Sequence, residues 1–231
     1  MTTILVAGTW DTRDAELGYM RDVILAQGGR VLTMDVSVLG DPSQPTDISK
    51  HQVAEAAGSS IAAAIAGQDE NTAMQIMATG SARLAAKLHA EGRIQGVIVL
   101  GGTMGTDLAL DLCSALPLGV PKYVVSTVSF SPMLPPERLP ADIQMILWAG
   151  GLYGLNSICK ASLSQAAGAV LGAARAVELF LSQDVLTPVA LARAMPEILS
   201  ERAARRLCER LVDLGVLREM SGRDTFRLYG V

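Results

Sequence analysis

The chain has 231 residues and a formal net charge of −4, and half of its residues are hydrophobic although only 4% are aromatic. This composition favours an α/β core of aliphatic side chains over an all-β fold. The acidic balance excludes a general electrostatic attraction to nucleic acid or anionic membranes, so a nucleic-acid site would have to be a local patch.

The first 36 residues predict a βαβ unit. Residues 4–8 form a short apolar run closed by a glycine, which is typical of a strand buried on both faces. A helix is expected over 14–26, where apolar residues recur at helical spacing and two glycines follow. Residues 30–36 supply the second strand, and Asp35 lies at its end.

The middle of the chain alternates helices with strands, which predicts a Rossmann-like, mostly parallel sheet flanked by helices. The strongest strand pattern is the run Gly-Val-Ile-Val-Leu at 96–100. The other expected elements are helices over 47–66, 70–91, 107–116 and 156–178 and strands over 123–127 and 143–148.

The composition changes near residue 181, which predicts a first domain over 1–180 and a tail over 181–231. One short helix is expected to begin at Pro188 and a second at Ser200. Gly215 would end the second helix, and a hairpin would turn at Gly222 and return over 225–229. This order predicts a small winged-helix-like appendage.

The amino terminus runs directly into the first apolar strand, without a basic segment or a long apolar stretch. The sequence therefore predicts no signal peptide, no membrane span and a cytoplasmic location. Three separated cysteines and two histidines predict neither a disulfide framework nor a zinc site. The cysteines are expected to be buried as small hydrophobic residues.

Three strand ends are rich in glycine and hydroxyl groups, and ligands of doubly wound sheets bind beyond the carboxyl ends of the strands. The stronger phosphate-loop candidate is Gly-Gly-Thr-Met-Gly-Thr-Asp at 101–107, although it matches neither standard nucleotide fingerprint. Glycine permits close backbone approach, and a helix start offers free N–H groups to an anion. The candidate nucleotide-binding residues are Gly8, Thr9, Asp11, Thr12, Arg13, Asp35, Gly101, Gly102, Thr103, Gly105, Thr106, Ser126, Thr127 and Asn156.

Structural interpretations of the same residues stay open. Asp11, Asp107 and Asn156 each stand where they could cap the helix that follows, and tight βα turns alone explain many glycines. The two aspartates could instead hold a Mg²⁺ ion that bridges phosphates. Asp35 occupies the place of a ribose-binding acid in dinucleotide folds. The loops contain no histidine that could partner Ser126, so nothing in the sequence demands catalysis, and whether the chain is an enzyme stays open.

These loops resemble the Tm-one-like ATP-binding domain family, an uncharacterised bacterial and plant group related to the tomato tobamovirus-resistance protein. The resemblance implies a Rossmann-like subdomain that binds ATP, with or without Mg²⁺, and forms a homodimer. Family members usually carry lysine where this chain has Arg13, and Gly-Gly-Ser where it has Gly-Gly-Thr. The segments that resemble the family are 8–13, 35–37, 101–106, 116–122, 126–128 and 154–157.

The tail over 176–231 resembles bacterial winged-helix modules. In such modules the second helix would read DNA, and the hairpin would add wing contacts. Acids and arginines roughly balance across the tail, whereas a DNA footprint usually shows a basic excess, so dimerisation or protein docking stays open. The DNA-contact candidates are Arg202, Arg205, Arg206 and Arg210 on the helix, with Arg223 and Arg227 on the wing.

The leading interpretation is ATP binding by the strand-end loops. The alternative is a DNA- or protein-binding module that acts through the winged helix. A third hypothesis is a gene fusion or deletion, because the family usually has a second α/β subdomain where this chain has the tail. In that case the chain has lost its ligand. Self-association is expected, since the exposed edge of the sheet needs cover.

Overall fold

Five strands form one parallel sheet, which confirms the predicted α/β fold. The spatial order is β2-β1-β3-β4-β5, one of the two common orders of doubly wound sheets. The strands are β1 (Thr3–Gly8), β2 (Arg30–Asp35), β3 (Gly96–Gly101), β4 (Lys122–Ser126) and β5 (Ile143–Leu147).

The structure is a computed structural model, and it describes residues 1–67, 69–132, 134–148, 154–183, 185–197, 199–213 and 215–230. The chain divides into two compact units, Met1–Leu171 and Gly172–Val231. The helices are α1 (Asp14–Ala26), α2 (Lys50–Ala56), α3 (Ile61–Ala66), α4 (Glu70–Ala90), α5 (Thr103–Ser114), α6 (Ser157–Ser182), α7 (Pro188–Ala194) and α8 (Glu201–Asp213), with a 3₁₀ turn at Pro136–Arg138. In the described part of the chain, no helix has the length and apolarity needed to cross a bilayer.

Both faces of the sheet are buried, as the continuous apolar strands predict. Alternate side chains such as Leu5 and Val97 join one core cluster with residues of α2, α4 and α5. The intervening side chains, such as Ile4 and Ile98, are equally buried on the opposite face. Helices α1 and α6 cover that face, where the Tyr19 hydroxyl lies 2.9 Å from Ser164 Oγ.

The helix expected over 47–66 is two helices, so that prediction is wrong in detail. Ser49 caps α2 with a reciprocal capping box to Gln52, and Ser60 caps α3. Between them Gly58 adopts a φ of +81°, which a helix does not accommodate. The break matters for the site, because α3 is thereby a helix separate from α2, and its residues Ala64 and Ile65 line the cavity described below.

The helix expected over 107–116 begins at Thr103 instead. Gly102 is the N-cap residue, so residues 103–106 of the predicted loop form the first turn of α5. Glycine and threonine are poor helix formers, and for that reason the sequence pattern did not indicate a helix over this turn.

The unit over 172–231 has its own small core, which includes Phe180, Leu191, Cys208 and Tyr229. Strands β6 (Arg218–Glu219) and β7 (Tyr229–Gly230) pair antiparallel, and Leu186 forms a further antiparallel bridge to Tyr229. The returning strand is shorter than the predicted 225–229. The boundary near residue 181 and the winged-helix assignment stay predictions.

Candidate functional site

The carboxyl ends of the strands bring the three predicted loops to one edge of the sheet. The parallel register pairs Asp35 with Gly8, Gly8 with Leu100, and Gly101 with Ser126. The strand order reverses between β1 and β3, and doubly wound sheets bind ligands at this switch point. The loops after β1, β3 and β4 therefore surround the place where a ligand is expected.

Two buried hydroxyls tie the loop after β4 to the start of α5. The backbone N–H of Val128 donates to Ser126 Oγ at 3.0 Å, and Thr106 Oγ1 donates to the Gly102 carbonyl at 2.7 Å. The two hydroxyl oxygens lie 2.6 Å apart, with Ser126 as the donor because Thr106 has already given its proton. Both side chains are fully buried. They therefore position the two loops.

The three glycines around the start of α5 differ in what the fold requires of them. A Cβ on Gly101 would lie 2.4 Å from the Gly105 carbonyl carbon, so a side chain there is excluded. A Cβ on Gly102 or on Gly105 would meet no atom within 4 Å, and neither residue has a positive φ. No side chain caps the helix. The N–H groups of its first turn are thus left for a partner outside the helix.

Asp35 organises the loop after β1. Its Oδ1 accepts from the backbone N–H of Trp10 at 3.2 Å and from the N–H and hydroxyl of Ser37 at 2.9 and 2.6 Å. The side chain is almost fully buried. These bonds connect the ends of β1 and β2. The carboxylate that was predicted to contact a ribose therefore holds two loops together.

The capping interpretation holds for one of its three residues. Asn156 accepts from the Cys159 N–H at 3.0 Å at the start of α6, which confirms a cap. Asp11 instead accepts from the Gly40 N–H at 3.2 Å, and no side chain caps α1. Asp107 lies inside α5 and pairs with Arg138. The caps predicted for the two aspartates are therefore wrong.

Arg13 and the two tryptophans of the chain gather at the same edge. The Arg13 guanidinium lies 5.2 Å from the centroid of the Trp148 ring, and its Nη1 lies 3.6 Å from the Glu16 carboxylate. Trp10 and Trp148 are buried, and among the described residues neither indole N–H has a partner. Because the chain has two tryptophans in all, its tryptophan emission reports on this edge.

A cavity of about 490 Å³ opens beside the start of α5. Four predicted residues line it: Thr9, Asp11, Thr12 and Gly105. Sequence reasoning missed most of its wall, because the wall combines the loop after β2 with faces of α3, α4 and α5. The missed residues are Val36, Ser37, Val38, Leu39, Ala64, Ile65, Asp69, Glu70, Ala73, Met74, Met77, Met104 and Leu108.

The charged groups that line the cavity are all acidic. Asp69 caps α4, and hydrogen bonds from the Thr72 hydroxyl and from the N–H groups of Thr72 and Asn71 lower the pKa of its carboxyl. Glu70 has no hydrogen-bond or ion-pair partner within the described residues, and Asp11 completes the set. Over the same residues, no cluster of three histidine, cysteine or carboxylate side chains could hold a metal ion.

Comparison with known proteins gives relatives for both parts of the chain. Residues 167–231 match the family described as a protein of unknown function, DUF1403. A tomato protein named ToMV susceptible protein tm-1(GCR26) is 32% identical over 102 residues, which cover 43% of this chain and 13% of the tomato protein. This partial match supports the predicted relation to the tomato group over part of the chain.

The stronger matches cover about three quarters of the chain. A UPF0261 protein of Brucella suis is 55% identical over 175 residues, or 76% of this chain, and one of Clostridium tetani is 36% identical over 169 residues, or 73%. The chain spans 42% of the length of each of these curated relatives. Residues 2–179 match the N-terminal domain of the uncharacterised protein family UPF0261. Through this domain, the chain belongs to the UPF0261 family.

Proposed function

We propose that the N-terminal unit binds a nucleotide, with ATP favoured, at the carboxyl edge of its sheet. The observation that carries the proposal is the pair Gly102 and Gly105 at an uncapped helix start. Neither packing nor backbone conformation requires a glycine at either position. Glycine inside the helix, at Gly105, costs about 0.5–1 kcal/mol relative to alanine, and glycine at the N-cap, Gly102, forgoes the side-chain cap that aspartate or serine would supply. Close approach of a ligand to the backbone accounts for both residues.

The phosphates would lie against the first turn of α5, where the N–H groups of residues 103–105 and the helix dipole favour an anion. Thr9 and Thr12 line the cavity beside this turn. The Thr12 hydroxyl donates to Thr9 and Asp11, so the Thr9 hydroxyl is the one that would add a donor. Asp11 would meet a Mg²⁺ ion that accompanies the phosphates. In this arrangement Asp35, Thr106 and Ser126 hold the loops in place, and Arg13 lies beside Trp148 at the rim.

The test is calorimetric titration of the full chain with ATP in the presence of Mg²⁺, repeated with EDTA and with inorganic tripolyphosphate. We expect saturable heat with one site per chain, accompanied by a change in tryptophan emission. If millimolar Mg-ATP gives neither signal, the proposal is wrong, and the interpretation of a chain that folds without a ligand gains support.

The proposal includes self-association of the chain. Strand β5 is the last strand of the sheet, and Leu147 at its end is exposed. An apolar edge strand of this kind is usually covered by another chain or element. Sedimentation of the full chain at micromolar concentration would show a homodimer, and a monomer would contradict this part.

A second candidate function is DNA contact by residues 172–231 as a winged helix. One helix, α8, carries four exposed arginines, Arg202, Arg205, Arg206 and Arg210, and exposed Arg223 lies on the hairpin. By contrast Arg227 lies within 4 Å of Glu209 and Asp224. Fluorescence anisotropy with a labelled duplex should show binding that weakens steeply between 50 and 200 mM salt. Arg206→Glu should weaken the binding further. An affinity that changes neither with salt nor with Arg206→Glu would contradict DNA contact.

A further inference from the structure

The cavity beside α5 differs chemically from the helix start at which the phosphates are proposed to lie. Ten of its seventeen lining residues are aliphatic or methionine side chains. Two of them, Leu39 and Ile65, are 80% and 47% exposed, so the fold leaves apolar surface open to water at this place. Its volume of about 490 Å³ lies in the range of small-molecule sites. An apolar group of a ligand is therefore the natural occupant.

The acidic lining limits which group that can be. Asp11, Asp69 and Glu70 line the cavity, and no lysine, arginine or histidine does so among the described residues. A phosphate or carboxylate placed beside Asp69 and Glu70, without a cation, would be repelled. A neutral group that donates hydrogen bonds would instead find charged acceptors, which make the stronger class of hydrogen bond.

Among these three carboxylates, Glu70 is the one whose oxygens accept no hydrogen bond within the described residues. Both oxygens of Asp69 accept from the first turn of α4, and both oxygens of Asp11 accept from Thr12 or Gly40. Glu70 follows Asp69 directly and lacks such bonds within the described residues. Its carboxylate is exposed at the cavity and is free to accept from a ligand.

The geometry also joins this cavity to the proposed phosphate position. Gly105 lies in the first turn of α5 and lines the cavity, and Met104 and Leu108 extend the same wall. Methionine side chains are flexible and polarisable, and they adapt to flat ring systems. A ligand with phosphates on the helix start would thus direct its base toward Met104, Met74 and Met77.

We infer that this cavity holds the nucleobase and selects a base that carries an exocyclic amine, with Glu70 as the discriminating acceptor. The inference rests on the proposed function, because the same ligand supplies the phosphates. A base with a carbonyl oxygen in place of the amine would turn an acceptor toward a carboxylate. The discrimination expected from one hydrogen bond to a charged group is about tenfold or more in affinity.

The test compares ATP, ITP, adenosine and inorganic tripolyphosphate by calorimetry and tryptophan emission. ATP and ITP differ at the exocyclic position of the base, so we expect ATP to bind at least about tenfold more tightly. Adenosine alone should bind. Glu70→Gln should bring the ATP and ITP affinities together, whereas Glu55→Gln, an exposed helix position that does not line the cavity, should leave the ratio unchanged.

A second variant tests the place of the base. Ala73 is half-buried on α4 and lines the cavity, so Ala73→Phe should fill the space, abolish adenosine binding and leave tripolyphosphate binding intact. Equal ATP and ITP affinities, or tripolyphosphate binding without adenosine binding, would overturn the inference and leave the proposed function standing. Absence of binding by all four ligands would overturn both.

Discussion

Gly102→Asp is expected to abolish stabilisation by Mg-ATP without lowering the stability of the free protein. Gly102 has a φ of −77° and a ψ of −157°, a conformation that aspartate adopts readily, and its Cβ would point into open space. Aspartate is a preferred N-cap residue, so the variant should gain a few tenths of a kcal/mol in the free state. Its carboxylate would accept hydrogen bonds from the N–H groups that are proposed to bind the phosphates, and its negative charge would repel the phosphates.

Thermal unfolding checks this result. For the wild-type chain, ligand at about one hundred times its Kd adds roughly 2.7 kcal/mol, which corresponds to a rise in Tm of about 5–10 °C for a unit of this size. The variant should show no rise. Ser49→Asp is the matched control, because it places the same charge at the capped start of α2, outside the cavity lining. A full ATP shift in Gly102→Asp would contradict the proposed phosphate position.

Asp142→Ala is expected to cause the largest loss of stability. Lys122 is 1% exposed, and its Nζ lies 2.5 Å from Asp142 Oδ2 and 2.7 Å from the Pro117 carbonyl oxygen. The same Oδ2 accepts from the Gly119 N–H at 2.9 Å. Removing the carboxylate leaves a buried ammonium without its counter-charge, which costs about 3–5 kcal/mol.

Urea unfolding followed by circular dichroism measures this cost. The double variant Lys122→Met, Asp142→Ala should recover most of the loss, because an apolar side chain of similar length replaces the stranded charge. The expectation would be contradicted if the single variant unfolded with the same free energy as the wild type, or if the double variant were no more stable than the single. Either result would show that the ion pair does not stabilise the amino-terminal ends of β4 and β5.

The strands were the most predictable part of the fold. A run such as residues 96–100 is apolar on both faces, and this pattern identifies a central parallel strand without knowledge of its neighbours. The start of α5 was less predictable, because Asp107 has the residue type of a cap while Gly102 occupies the position. Local pattern therefore placed most elements within a few residues, but it merged α2 with α3, mistook the start of α5 and made the returning strand of the hairpin too long.

The candidate site divides in the same way. The strand-end loops were predictable, because they stand next to their strands in the sequence and the parallel topology brings them together. The cavity was not, because Leu39, Ile65, Met74 and Met104 come from separate segments. Their shared wall depends on how α3 and α4 pack beside the loop after β2, and periodicity does not encode that packing. Three methionines on two helices were the available signal.

The buried hydroxyl pair has a consequence for the chemistry of this edge. Ser126 gives its proton to Thr106 and accepts from the Val128 N–H, so its oxygen is already engaged as donor and acceptor. A covalent intermediate on Ser126 would remove the serine proton and with it the hydrogen bond to Thr106, which joins the loop after β4 to the start of α5. The pair therefore favours a serine that joins two loops over a serine that acts as a nucleophile.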